Sequence, residues 1–115
     1  MMQQGMSRKI GDKSEEIATG FLERSGFVII ERNYYASKLG EVDIIAIKED
    51  TLHFIEVKSA YGDFDPIYNI TPSKLKKVTN SAYHYLKSKG LDTAFCIDAL
   101  LIRKEDVELI ENITL

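Results

Sequence analysis

The chain contains no tryptophan, only two prolines and a single cysteine in 115 residues. One cysteine, Cys96, excludes an internal disulfide and offers no ligand set for a metal by itself. It falls inside the apolar run Ala94 to Ile102, where a free thiol is expected to act as a small buried hydrophobe. A reducing, cytoplasmic compartment is the expectation that follows. No apolar run approaches the ~20 residues a bilayer span requires, so no membrane role is expected. Met1 to Ile10 holds no apolar core of a secretory leader. A basic excess is also missing: the formal net charge is −3, whereas proteins whose whole surface grips nucleic acid are usually basic.

Repeats, low-complexity tracts and linkers are absent as well, and the length fits one domain, 1–115. Residues 1–7 are expected to be disordered and to add nothing to the fold. With 44% hydrophobic and 29% charged residues, the remainder has the composition of a folded globular chain.

Arg8 to Ser25 reads as a helix, with Ile10, Ile17 and Phe21 at helical spacing, Ala18 and Leu22 on the flank, and Gly26 as the stop. Phe27 to Arg32 is a short strand, and Asn33 opens a loop reaching Gly40. Glu41 to Lys48 and Thr51 to Lys58 are two β-rich runs around Glu49-Asp50. That is a hairpin pattern, although the pair lacks the glycine that tight primed turns favour. Ser59 to Ile70 reads as a loop. Thr71 caps and Pro72 opens a second helix, whose apolar stripe is Leu75, Val78, Ala82, Tyr85 and Leu86 and whose stop is Gly90. Thr93 to Ile102 is a buried strand, and Val107 to Ile113 a weaker last one. The order α-β-β-β-α-β(-β) predicts an α/β fold with a central mixed sheet flanked by helices.

The hairpin carries the chemistry. A two-residue turn sets Lys48 opposite Thr51, Ile45 opposite Phe54, Asp43 opposite Glu56 and Glu41 opposite Lys58. Period-two alternation then gives Glu41, Asp43, Glu56 and Lys58 one face at the open end, continued by Ile45, Phe54, Ile47 and Leu52. Val42, Val57, Ile44, Ile55, Ala46 and His53 take the other face, which leaves His53 outside the proposed ligand set. Opposed residues have Cβ atoms about 4.5–5.5 Å apart, and like charges there repel. Carboxylates held so close call for a raised pKa, a cation or a lysine between them. Hard oxygen donors in this pattern suit Mg²⁺ or Mn²⁺. The alternative is a buried ion-pair cluster in which Lys58 neutralises Glu41 or Glu56 without a metal.

Glu15 borders the apolar stripe of the first helix and can reach the sheet end, whereas Glu16 points to solvent. Lys74 borders the stripe of the second helix, close enough to meet a phosphate; Lys76 and Lys77 belong to its solvated face. Tyr34, Tyr35 and Tyr61 flank the hairpin end. Packing against the sheet edge is their expected role, with base stacking as the alternative.

Gly40-Glu41-Val42-Asp43-Ile44-Ile45-Ala46 followed by Phe54-Ile55-Glu56-Val57-Lys58 resembles the D…(D/E)XK signature of the PD-(D/E)XK nuclease superfamily. The details are closer still to the YraN-type family of uncharacterised bacterial proteins. The shared features are Gly11 and Glu15 on the first helix, Ala18, Asn33, the GExD and EVK strings, Lys74 on the second helix and Asp98 in the last main strand. The resemblance covers Gly11 to about Ile102. It implies a restriction-endonuclease-like core and Mg²⁺-dependent hydrolysis of phosphodiester bonds, with nucleic acid, in the first place DNA, as partner. Asp43, Glu56 and the backbone carbonyl of Val57 would be metal ligands, with Glu15 binding directly or through water. Lys58 would orient the attacking water or stabilise charge on the phosphate. Glu41 and Lys74 would contact substrate. A homodimer is expected by the same analogy. Two positions depart from the pattern: Ala60 and Cys96 stand where arginines are common.

Overall fold

The computed structural model describes the backbone of residues 2–60 and 62–113 and the side chains of residues 13–60 and 62–113. Helix α1 (Met2–Arg24) leads into strand β1 (Val28–Tyr35), the hairpin strands β2 (Glu41–Lys48) and β3 (Thr51–Ser59), helix α2 (Pro72–Lys89), and strands β4 (Ala94–Ile102) and β5 (Val107–Ile110). The strands form one mixed sheet in the order β1-β2-β3-β4-β5. Three contacts are antiparallel, and β3 pairs with β4 in parallel, joined by the α2 crossover. This is an α/β fold, consistent with the expected restriction-endonuclease-like core. α1 begins at Met2 where the sequence predicts a start at Arg8, and the side chains of residues 1–7 lie outside those described.

The caps act as the sequence predicts. Thr71 accepts the Lys74 N–H, Pro72 opens α2, and Gly90 closes it at φ 64, a conformation that costs glycine nothing. At the hairpin, Glu49 (φ 51) and Asp50 (φ 65) both enter the left-handed region. Their primed turn thus forms without glycine, at ~1–2 kcal/mol per residue. The flanking strands hold it. Lys48, Ile47, Ala46, Ile45 and Ile44 stand opposite Thr51, Leu52, His53, Phe54 and Ile55, and Ile44, Ile45, Phe54 and Ile55 are fully buried. Each such side chain contributes about 1.5–3 kcal/mol by burial, and a slip by one residue would exchange the faces of them all.

Two apolar clusters sandwich the sheet. Under α2 lie Val42, Ile45, Leu52 and Phe54 with Leu75, Val78, Ala82 and Tyr85. Under α1 lie Ala18, Leu22, Phe27, Ile44, Ile55 and Leu100. One assignment is corrected here: Val42 shares a face with Ile45 and Phe54, not with Ile44 and Ile55. The alternation therefore changes phase between Val42 and Ile44, at Asp43. Directly across β1 the backbone shows the matching irregularity, Asn33 at φ 55. β1 also runs past the expected loop start at Asn33, because its pairing continues to Tyr34↔Val42 and Tyr35↔Glu41. At the other end β5 stops at Ile110, short of the expected Ile113, whose N–H instead donates to the Ile97 carbonyl at 2.7 Å.

Candidate metal centre

Backbone pairing between β2 and β3 ends at Ile44↔Ile55. One step further the Val57 N–H donates to Asp43 Oδ2 at 2.8 Å. A side-chain oxygen takes the place of a strand carbonyl, so the two strands part around it. The phase change at Asp43 is what aims its carboxylate at the neighbouring strand.

Glu56 sits beside that carboxylate. Burial, first, and then the Glu56 charge push the Asp43 carboxyl from 3.8 up to about 7, with the Val57 N–H and Lys58 pulling the other way. Glu41 is raised as well, by burial and then by Asp43 and Glu15. Lys58 Nζ lies 3.5 Å from Glu56 Oε1, both groups largely shielded from solvent. Glu15, Glu41, Asp43 and Glu56 thus form a chain of acids, each acting on the next, with Lys58 at one end. The donor set fits a hard divalent cation: two carboxylates that repel each other in a half-buried site gain more from a shared cation than from shared protons.

The predicted residues converge unequally. Asp43, Glu56 and Lys58 meet as expected. Glu41 joins them through its charge. Glu15 is already held, accepting from Arg32 Nη2 at 2.9 Å and Asn33 Nδ2 at 3.0 Å. The left-handed Asn33 (φ 55) breaks the strand's alternation, and with it the adjacent residues Arg32 and Asn33 both reach Glu15 on α1. Ser14 and Ser59 share a hydrogen bond of 3.1 Å, fastening α1 to the residue after Lys58. Lys74 is exposed on the first turn of α2, Lys76 and Lys77 are exposed on the next, and Glu16 is exposed on α1. Tyr34 is a packing residue, its ring edge-on to Tyr85 and its hydroxyl 2.6 Å from His84 Nδ1. Tyr35 is exposed, and Tyr61 lies outside the described residues.

Gly40 was the signal that the loop before β2 hugs α2. It sits at φ 136, and a Cβ there would come within 3.2 Å of Lys77 Cβ and of Ser81 Oγ. Only glycine lets the chain enter β2 this close to the helix.

A second polar cluster escaped the sequence reading. His53, Cys96 and Asp98 meet at the turn end of the sheet, with Asp98 fully buried. Cys96 is only half-buried and is not the simple hydrophobe expected of it. Its sulfur donates to Asp98 Oδ1 at 3.2 Å and lies 3.1 Å from His53 Nδ1. The spacing that would have found it is Cys96-x-Asp98 on a strand paired in parallel with His53, a pairing that depends on the crossover and not on local pattern.

Residues 14–102 match the family model described as uncharacterised protein family UPF0102. A UPF0102 protein of Sulfurovum sp. (strain NBC37-1) is 65% identical over 105 residues, 91% of this chain and 93% of that protein. One from Wolinella succinogenes is 56% identical over 110 residues, 96% of this chain and 100% of that protein. One from Helicobacter pylori (strain J99) is 55% identical over 107 residues, 93% and 92% respectively.

Proposed function

The chain belongs to the UPF0102 family, and on that premise, with the open hairpin end beside it, we propose that it is a Mg²⁺- or Mn²⁺-dependent nuclease acting on DNA, structured DNA such as junctions or flaps above all. The observation that carries the reading is the Asp43–Glu56 pair, two acids pressed together where β2 and β3 part, with Lys58 3.5 Å from Glu56.

Asp43 and Glu56 would hold the cation, with the Val57 carbonyl as a third ligand and Glu15 acting through water. When bound, Mg²⁺ supplies a Lewis acid that polarises a phosphoryl oxygen and makes water a better nucleophile. The Val57 N–H fixes the Asp43 carboxylate, so its orientation does not depend on the ligand. Lys58, sharing the strand with Glu56, reaches the same space and stabilises negative charge developing on the phosphate. Glu41 and Lys74 would contact the nucleic-acid backbone.

Titration with Mn²⁺ tests this. The melting temperature should rise in wild type and stay flat in Asp43→Ala and Glu56→Ala. Lys58→Met should keep that rise yet lose cleavage of branched, flapped or duplex DNA. No thermal response in wild type would reduce the cluster to an ion-pair network. A second reading rests on three observations: Glu15 is taken by Arg32 and Asn33, Lys58 is paired to Glu56, and arginines are absent at Ala60 and Cys96. It is a catalytically silent binding module of the same fold. Metal-dependent stabilisation without cleavage of any DNA or RNA tested would favour it.

A further inference from the structure

We propose that His53, Cys96 and Asp98 form a second, chemically distinct metal site, one that takes a borderline divalent cation of the Zn²⁺ class through a nitrogen, a sulfur and a carboxylate oxygen. The three ligand atoms all lie within 4.8 Å of one another. His53 Nδ1 is 2.5 Å from Asp98 Oδ2 and 3.1 Å from Cys96 Sγ, and Sγ is 3.2 Å from Asp98 Oδ1. The same ring nitrogen therefore faces both partners. A neutral imidazole nitrogen either gives one proton or accepts one, so it cannot serve sulfur and carboxylate equally. One cation among the three donors replaces those competing contacts with three bonds.

A cysteine nucleophile relayed by histidine to aspartate is the competing use of these residues. Its geometry is wrong, because a relay needs the two ring nitrogens on different partners, and here Nε2 is 4.0 Å from Sγ on the same side as Nδ1. The thiol is also unsuited to it, since burial and then Asp98 hold it up to about 12.

The site is supported and reachable. The Asn112 N–H donates to Asp98 Oδ1 at 2.9 Å, fixing the carboxylate from the rear in the manner of an outer partner to a metal ligand. A groove of about 410 Å³, bordered by Lys48, Thr51 and Glu111, opens onto His53 and Cys96. Three protein ligands and one position facing that groove match the open tetrahedral pattern of zinc sites, with Glu111 or water as the fourth donor. The site lies at the hairpin turn, three residues along β3 from Glu56, or about 10 Å.

Cobalt(II) tests the proposal on the full-length chain. One equivalent should produce a thiolate-to-cobalt charge-transfer band, bleached by one equivalent of Zn²⁺. The band should vanish in Cys96→Ser and persist in the Asp43→Asn/Glu56→Gln double variant, which separates it from the carboxylate centre. Absence of the band in wild type, or its survival in Cys96→Ser, overturns the proposal. Should Cys96→Ser fail to fold, thiol alkylation of wild type decides. One equivalent of Zn²⁺ is expected to slow it at least tenfold, and an unchanged rate overturns the site.

Discussion

At the open end of the hairpin, Asp43 and Glu56 face one another where the β2–β3 ladder has stopped. At the turn end, His53 stands beside Cys96 where the β3–β4 ladder is complete. Strand β3 serves both, yet the two clusters handle polarity differently. The open end keeps like charges together and shows it in a carboxyl raised to about 7. The turn end has three donors around one buried acid, and among the described residues no buried side-chain nitrogen or oxygen lacks a hydrogen-bond partner. A site that tolerates repulsion is one whose stability was given up for something else. A site that satisfies every donor can be structural, or can exchange protons for a cation. Hard oxygen at one end and sulfur with nitrogen at the other would then sort two metals within one small sheet.

The sharpest contrast should come from Glu56→Gln. Removing one acid of the pair is expected to lower Mn²⁺-dependent DNA cleavage on the order of a thousandfold, the scale on which members of a catalytic unit fail together. The cobalt band of the turn end should be unchanged. Asp43→Asn comes next and acts in the opposite sense on stability. The folded protein keeps the Asp43 proton up to about pH 7, whereas the unfolded chain releases it near 3.8. The native state therefore binds more protons across that window, and metal-free stability falls as pH rises through it. At ~1.4 kcal/mol per unit, asparagine, which can still accept the Val57 N–H, should recover about 4 kcal/mol at pH 8. Urea melts should show the difference between variant and wild type already at pH 5, at about 2 kcal/mol, and growing to its full size by pH 8.

Gly40→Ala should cost about 1–3 kcal/mol through its backbone conformation and its approach to α2. Its effect on metal binding should be confined to the carboxylate end, read by Mn²⁺ and Co²⁺ titrations side by side. The smallest effect belongs to Lys74→Ala. Being exposed, it should leave the melting temperature unmoved. It should make the salt dependence of DNA binding shallower by about one unit if Lys74 meets a phosphate.

Local pattern made the open end legible. The register followed from a turn of fixed length as far as Ile44↔Ile55, even though Glu49 and Asp50 lack the glycine such turns favour, because buried isoleucines and Phe54 hold the strands whatever the turn costs; the expected pairs Asp43–Glu56 and Glu41–Lys58 lie beyond the end of the ladder. What local pattern could not supply was the phase change at Asp43. Strict alternation assigned Val42 to the wrong helix, and only the left-handed Asn33 on the neighbouring strand marks the irregularity. The extension of β1 was hidden for the same reason, since asparagine in that region reads as a loop. Cys96 was misjudged because its neighbours in sequence are apolar while its neighbours in space, His53 and Asp98, are polar. That juxtaposition exists only once α2 has carried the chain across the sheet.

The single parallel pairing also orders events in time. The β2–β3 hairpin closes over a two-residue turn, and such hairpins form within about 1–10 μs. His53 and Cys96 are 43 positions apart, and closing a long segment comes later because its entropy must be met before distant contacts stabilise it. The nascent hairpin therefore brings Asp43 and Glu56 together while β4 is still unfolded, and divalent ions in the refolding buffer should already accelerate that early phase. The thiol, by contrast, stays open to alkylating reagents until β4 docks on β3, which gives a pulse-labelling experiment a clock for that step.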